Sequence, residues 1–187
     1  QSIESHGRMV PYTRQWPANT SAGEASNYIR LNPHRIHLAS VGWQIKKSDG
    51  SIATLSDIKN INQTLDLWKG ELVSTFTVED TPVEVTSLVS QGNDDILGVR
   101  IKSKLIETGR MALLIRYPYP SDQFLDEANI FDTDEQKRLN LNVLDSKNIS
   151  ILRTLDTTKY HTNFTSSCTI ATRSTNAGYL VKPDSTQ

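Results

Sequence analysis

Leu72-Val73-Ser74-Thr75-Phe76-Thr77-Val78, the turn Glu79-Asp80-Thr81-Pro82, and Val83-Glu84-Val85-Thr86-Ser87-Leu88-Val89 decide the fold. On both sides of the turn, β-branched and aromatic residues alternate with polar ones, the period-two pattern of half-buried strands. Phe76, Val78, Val83 and Val85 take the candidate core positions, and Pro82 marks the turn.

The same texture runs outward in both directions. Residues 96–102 alternate Leu97, Val99 and Ile101 against Gly98, Arg100 and Lys102, which predicts one buried and one wet face. Residues 111–117 repeat the pattern with Met111, Leu113 and Ile115 before Pro118-Tyr119-Pro120 ends the run. Upstream, 35–47 and 52–55 read as a hairpin around Ser48-Asp49-Gly50-Ser51, since Asp-Gly suits a tight turn. Downstream, 149–155, 160–165, 168–171 and 179–182 are strand-like.

Two stretches fit no strand template. Residues 1–34, punctuated by Pro11, Pro17, Gly23 and Pro33, read as an irregular arm. Residues 121–148 are rich in Asp, Glu, Asn and Gln and read as one long inserted loop, with a short helix across 133–139. The expectation is an all-β chain: one large antiparallel β-sandwich domain over 1–187, with core strands in 35–120 and closing strands in 149–187.

Charge restricts the partners. Twenty Lys and Arg against 21 Asp and Glu leave a formal charge of −1, so no basic field exists to hold nucleic acid or an anionic membrane. No run approaches the roughly 20 apolar residues of a membrane span. Gln1 in place of Met reads as a processed N-terminus.

Asn19, Asn62, Asn148 and Asn163 each open an Asn-x-Ser/Thr acceptor, which implies N-linked glycans and passage to the outside of the cell. Twelve Asn in a chain about one fifth Ser and Thr give roughly two acceptors by chance, so four is a mild excess. Cys168 stands alone, which leaves two readings: a disulfide to another chain or a buried thiol.

Self-contained chemistry finds little support. His34 and His37 are three apart and fall on opposite faces of a strand, while His6 and His161 have no neighbours at ligand spacing. No metal and no cofactor is expected, because no glycine-rich phosphate loop and no Gly-x-Ser-x-Gly elbow occurs. Asp49, Asp80 and Asp94-Asp95 sit at turns, where Asp bonds its own backbone. The aromatics say more, because sugars stack on such rings. Tyr12, Arg14, Trp16 and Trp68 are the candidate carbohydrate-binding residues, whereas Trp43 lies in a strand and is assigned to the core.

Gly7-Arg8-Met9-Val10-Pro11-Tyr12 with Gln15-Trp16, Asn32-Pro33-His34-Arg35-Ile36-His37-Leu38, and Gln63-Thr64-Leu65-Asp66-Leu67-Trp68-Lys69-Gly70 together resemble the N-terminal domain of fungal and bacterial six-hairpin glycosidases. The likeness continues through Phe76-Thr77, Pro82-Val83-Glu84-Val85 and Ser103-Lys104-Leu105-Ile106 to Arg116-Tyr117-Pro118-Tyr119-Pro120. The resemblance implies a β-sandwich that precedes an (α/α)6 barrel, with the catalytic carboxylates on the barrel. No barrel sequence is present, and similar proteins have more chain before the Gly-Arg-x-Val-Pro segment, so the sequence reads as an internal fragment. The expected function is therefore the non-catalytic part of a secreted glycoside hydrolase, with the barrel and carbohydrate as partners. A stand-alone carbohydrate-binding or adhesion domain is the alternative, and a purely structural, shielding domain a third.

Overall fold

A computed structural model describes residues 2–11, 16–17, 19–31, 37–92, 94–120, 130–131 and 134–184. The chain divides into two compact units, one of residues 1–38 with 118–130, the other of 39–117 with 131–187.

In the first unit β1 (Ser2–Ser5) and β2 (Arg8–Pro11) form a hairpin closed by His6 and Gly7, both at positive φ, and Tyr119 bridges to Ile130. Helix α1 (Ser21–Leu31) follows. Thr20 caps it: the Gly23 amide donates to its Oγ1 at 3.1 Å and the Glu24 amide to its carbonyl at 2.8 Å. The arm expected to be irregular thus holds a hairpin and a helix. Ser, Gly and Asn dilute the helical pattern, and the cap is what starts it.

In the second unit β3 (Ser40–Ile45), β8 (Met111–Arg116), β12 (Ile170–Thr175) and β13 (Gly178–Pro183) make one antiparallel sheet in the order β12-β13-β8-β3. A second sheet is the meander β4 (Ile58–Asp66), β5 (Glu71–Val78), β6 (Thr81–Val89) and β7 (Leu97–Lys102). A third is the meander β9 (Leu139–Val143), β10 (Asn148–Leu155) and β11 (Thr158–Thr165). The all-β, sandwich-like reading of the sequence therefore holds.

Register explains the layering. Met111 opposes Ile45, Leu113 opposes Trp43 and Ile115 opposes Tyr179, so these residues share one face of the first sheet. Ile45 and Met111 cluster with Val78, Val83 and Val85 of the β4–β7 meander and with Leu105 of α2 (Lys104–Glu107). Ile115, Tyr179 and Val181 cluster instead with Leu139, Ile149 and Ile151 of the β9–β11 meander. Two meanders thus cover one face of the first sheet, side by side.

The turn of the β5–β6 hairpin is Glu79-Asp80 alone, with φ of 46° and 59°. Such a turn usually needs Asn-Gly. Here the Glu79 carboxylate accepts from Ser48 N at 2.9 Å and Ser48 Oγ at 2.6 Å and pairs with Arg110, so tertiary bonds hold the strained backbone. Pro82 lies inside β6, opposite Thr77.

Other expectations need correction. The return expected at 52–55 is a single bridge, Lys46 to Ile52, after which a tight helical turn at Leu55–Asp57 leads into β4. β4 was not foreseen, because a bulge at Asn60 and Ile61 breaks its alternation. The insertion 121–148 is also not all loop. It contains a helical turn at Gln136–Arg138, inside the stretch expected to be helical, and β9, which pairs with β10.

Candidate functional site

The β4–β7 meander extends beyond the cover it receives. Its core face begins with Val78, Phe76, Val83, Val85 and Ile101, packed as above. Farther along the same face, register places Leu65 beside Leu72, and Val89 beside Leu97, with Val99 opposite Ser87. Leu65 is 57% exposed, Val89 60% and Leu97 50%. The β7 alternation is therefore real, but its expected buried face is half open. On the β4–β5 side a Gln63–Ser74 hydrogen bond of 3.0 Å separates the covered from the uncovered rows.

At the end of this face the β4–β5 connection presents Trp68, 94% exposed, next to Leu67. The loop has defined geometry. Asp66 Oδ1 accepts from the amides of Trp68 (3.1 Å) and Lys69 (3.2 Å), its Oδ2 lies 3.1 Å from Lys69 Nζ, and Gln91 Nε2 donates to the Trp68 carbonyl at 2.9 Å. Gly70 supplies a φ of 62° that returns the chain to β5. The Lys69 ammonium and these amides hold the Asp66 carboxyl below its ordinary range. Asp66, Glu71, Asp94 and Asp95 give this end four carboxylates against the single ammonium of Lys69.

The edges of the meander are blunted. β7 carries Arg100 and Lys102, the latter 2.9 Å from Glu84, and β4 carries the bulge. Both devices oppose edge-to-edge strand addition. Between those edges, Leu65, Val89 and Leu97 of this face stay at least half exposed.

Of the other candidate residues, Tyr12 and Arg14 lie outside the described residues, as does His34. Trp16 is 50% exposed and belongs to the first unit, Trp68 to the second. Trp43 packs against the core as expected. Asn19, Asn62 and Asn163 are exposed and Asn148 is half-buried. Cys168 is an exposed free thiol whose amide donates to Ser166 Oγ, not a buried one.

Each described carboxyl whose acidity is shifted, namely Asp49, Asp57, Asp66, Glu79, Glu84 and Asp145, is shifted downward, mainly by hydrogen bonds to neighbouring hydroxyl, amide or ammonium groups. Asp49 does so as a turn residue, accepting from Ser51. Among the described residues no group of three or more His, Cys, Asp or Glu could hold a metal ion. No described helix is long and apolar enough to cross a membrane.

One cluster has no signature in the sequence. Glu135 and Arg153 are both fully buried, with Arg153 Nη2 3.3 Å from Glu135 Oε2 and Nη1 3.3 Å from the Tyr160 hydroxyl. Tyr117 is buried beside them with its ring 5.7 Å from the guanidinium. Burial pushes the Tyr117 phenol up to about 12, against the opposing effect of the Thr162 hydroxyl. That hydroxyl falls outside hydrogen-bond geometry, and the phenol oxygen has no partner among the described residues. A cavity of about 260 Å³ lies between Trp43, Ile45, Ala53, Ile58 and Phe76. The cluster is a buried polar element of the fold.

Comparison with known protein families, with curated proteins and with solved structures returns no match.

Proposed function

We propose that this chain is the non-catalytic β-sandwich portion of a secreted glycoside hydrolase, seated on an (α/α)6 catalytic barrel through the uncovered face of the β4–β7 meander. The observation that carries the reading is that face: an interior sheet surface, continuous with a packed core, whose outer rows of Leu65, Val89, Leu97 and Val99 are left without cover. The resemblance of the sequence to the N-terminal domain of six-hairpin glycosidases supplies the partner. Trp68, held at the end of the face by Asp66 and Gln91, would stand at the margin of the substrate cleft.

The test is the native material, by intact mass, peptide mapping of whatever purifies with the chain, and glycosidase assay of the same fractions. A barrel polypeptide, covalent or associated, is expected. If it is associated, Leu97→Lys should cut recovery of the complex by about tenfold or more, as for a charge placed in a desolvated interface. A folded, monodisperse 21.0 kDa monomer without companion would overturn the reading.

A second reading, a stand-alone carbohydrate-binding or adhesion domain, is favoured by the exposure of Trp68 and Trp16. It requires glycan-array binding that Trp68→Ala or Trp16→Ala abolishes, and an array with no bound glycan ends it.

A further inference from the structure

Two of the acceptor sequences meet on one surface. In the β10–β11 register Asn148 opposes Thr165 and Ser150 opposes Asn163, so Asn148 and Asn163 are diagonal neighbours on the side of the hairpin facing away from Ile149 and Ile151. Their amides are not equivalent. Asn148 Nδ2 donates to both carboxylate oxygens of Asp145, at 2.9 and 2.7 Å. Asp145 also accepts from the amides of Lys147 (2.7 Å) and Asn148 (2.9 Å), and the Asn148 carbonyl accepts from Leu144 N at 2.9 Å. Asn148 therefore closes the β9–β10 connection with its side chain as well as its backbone. The Asn163 and Asn62 side chains are exposed and make no hydrogen bond to other described residues.

N-glycosylation joins Nδ2 to the anomeric carbon of an oligosaccharide carried on a lipid diphosphate; the diphosphate leaves and the nitrogen gives up one proton. After transfer at Asn148 a single N–H would remain for two carboxylate oxygens, and the first sugar would stand where Asp145 now stands. The competing turn spans four residues, and so local a loop closes far faster than a hairpin forms. We infer that Asn163 and Asn62 are the glycan-bearing residues of the second unit, and that Asn148, closed off by Asp145, stays unmodified as the clamp of its turn. This rests on the secreted reading of the chain.

The experiment is secretion of the chain from a eukaryotic host, enzymatic removal of glycans in ¹⁸O-water, and peptide mapping of the Asp residues so labelled. The expected result is label at Asn62 and Asn163, roughly tenfold less at Asn148, and a severalfold rise at Asn148 in the Asp145→Ala variant, since each charge-assisted bond lost is worth up to about a factor of ten. Equal label at Asn148 and Asn163 in the parent overturns the inference alone, and label at no acceptor overturns it together with the secreted reading. In unglycosylated bacterial material Asn148→Gln should lower the thermal midpoint and Asn163→Gln leave it unchanged; equal midpoints overturn the clamp.

Discussion

Gly178→Ala is expected to abolish the fold, while Gly42→Ala, in the same sheet, leaves it intact. A Cβ at Gly178 would stand 2.0 Å from the Ile115 carbonyl oxygen, 2.9 Å from its carbon and 3.0 Å from Arg116 Cα, all backbone atoms of β8. No side chain can swing aside to make room. Gly178 opposes Arg116 in the β13–β8 ladder, so relief of the clash means parting the two middle strands of the sheet. Such separation also disturbs the Tyr117 N to Ala177 O bond of 2.7 Å. It displaces the Gln136 amide, which, oriented to satisfy both ends, donates to the Thr175 and Gly178 carbonyls at 2.9 and 3.0 Å and accepts from the Tyr179 hydroxyl. The loss should exceed about 4 kcal/mol, the range of backbone and core disruption combined. At Gly42 an added Cβ meets nothing within 4 Å, and alanine removes some of the flexibility a strand must lose on folding. Circular dichroism with urea titration of the three proteins decides it, and a Gly178→Ala midpoint equal to that of the parent would refute the close approach.

What the sequence disclosed divides by range. Local alternation is enough to place β5, β6, β8, β10 and β11, because each carries apolar or β-branched residues at most of its alternate positions between turn signals. β9 escaped, although Leu139-Asn140-Leu141-Asn142-Val143 alternates strictly, because Leu and Asn are weak strand formers and the segment sits in a polar stretch. α1 escaped for the opposite reason: its cap signal, Thr20, was present but the helix behind it is poor in strong formers. The candidate site was half legible. Periodicity shows that Leu97, Val99 and Ile101 share a face, but what lies across from that face is a tertiary fact, and only Ile101 is covered by the chain's own core. Arg153 shows the same limit more sharply. It occupies a core position in the strict inward alternation of Ile149, Ile151 and Leu155, where a charged residue in the sequence signals the wet face.

That buried arginine sets the other large effect. Glu135→Leu is expected to cost about 3–5 kcal/mol, because it leaves a fully buried guanidinium without the carboxylate 3.3 Å away. Glu135 also receives Arg138 Nη1 at 2.8 Å, but Arg138 is 30% exposed and can return to water, whereas Arg153 is held in the middle of the β9–β11 meander between Leu139 and Tyr160. The asymmetry makes a double-mutant cycle informative. Burying two charges is expensive even when they meet well, so the pair itself is worth far less than the damage done by breaking it. Glu135→Leu combined with Arg153→Met, two apolar side chains of similar volume, should therefore recover most of the lost stability. Urea midpoints of the parent, both single variants and the double variant measure it. Additive losses in the double variant would mean that the two residues act independently, and would contradict a cluster whose energetics lie in the mutual compensation of two buried charges.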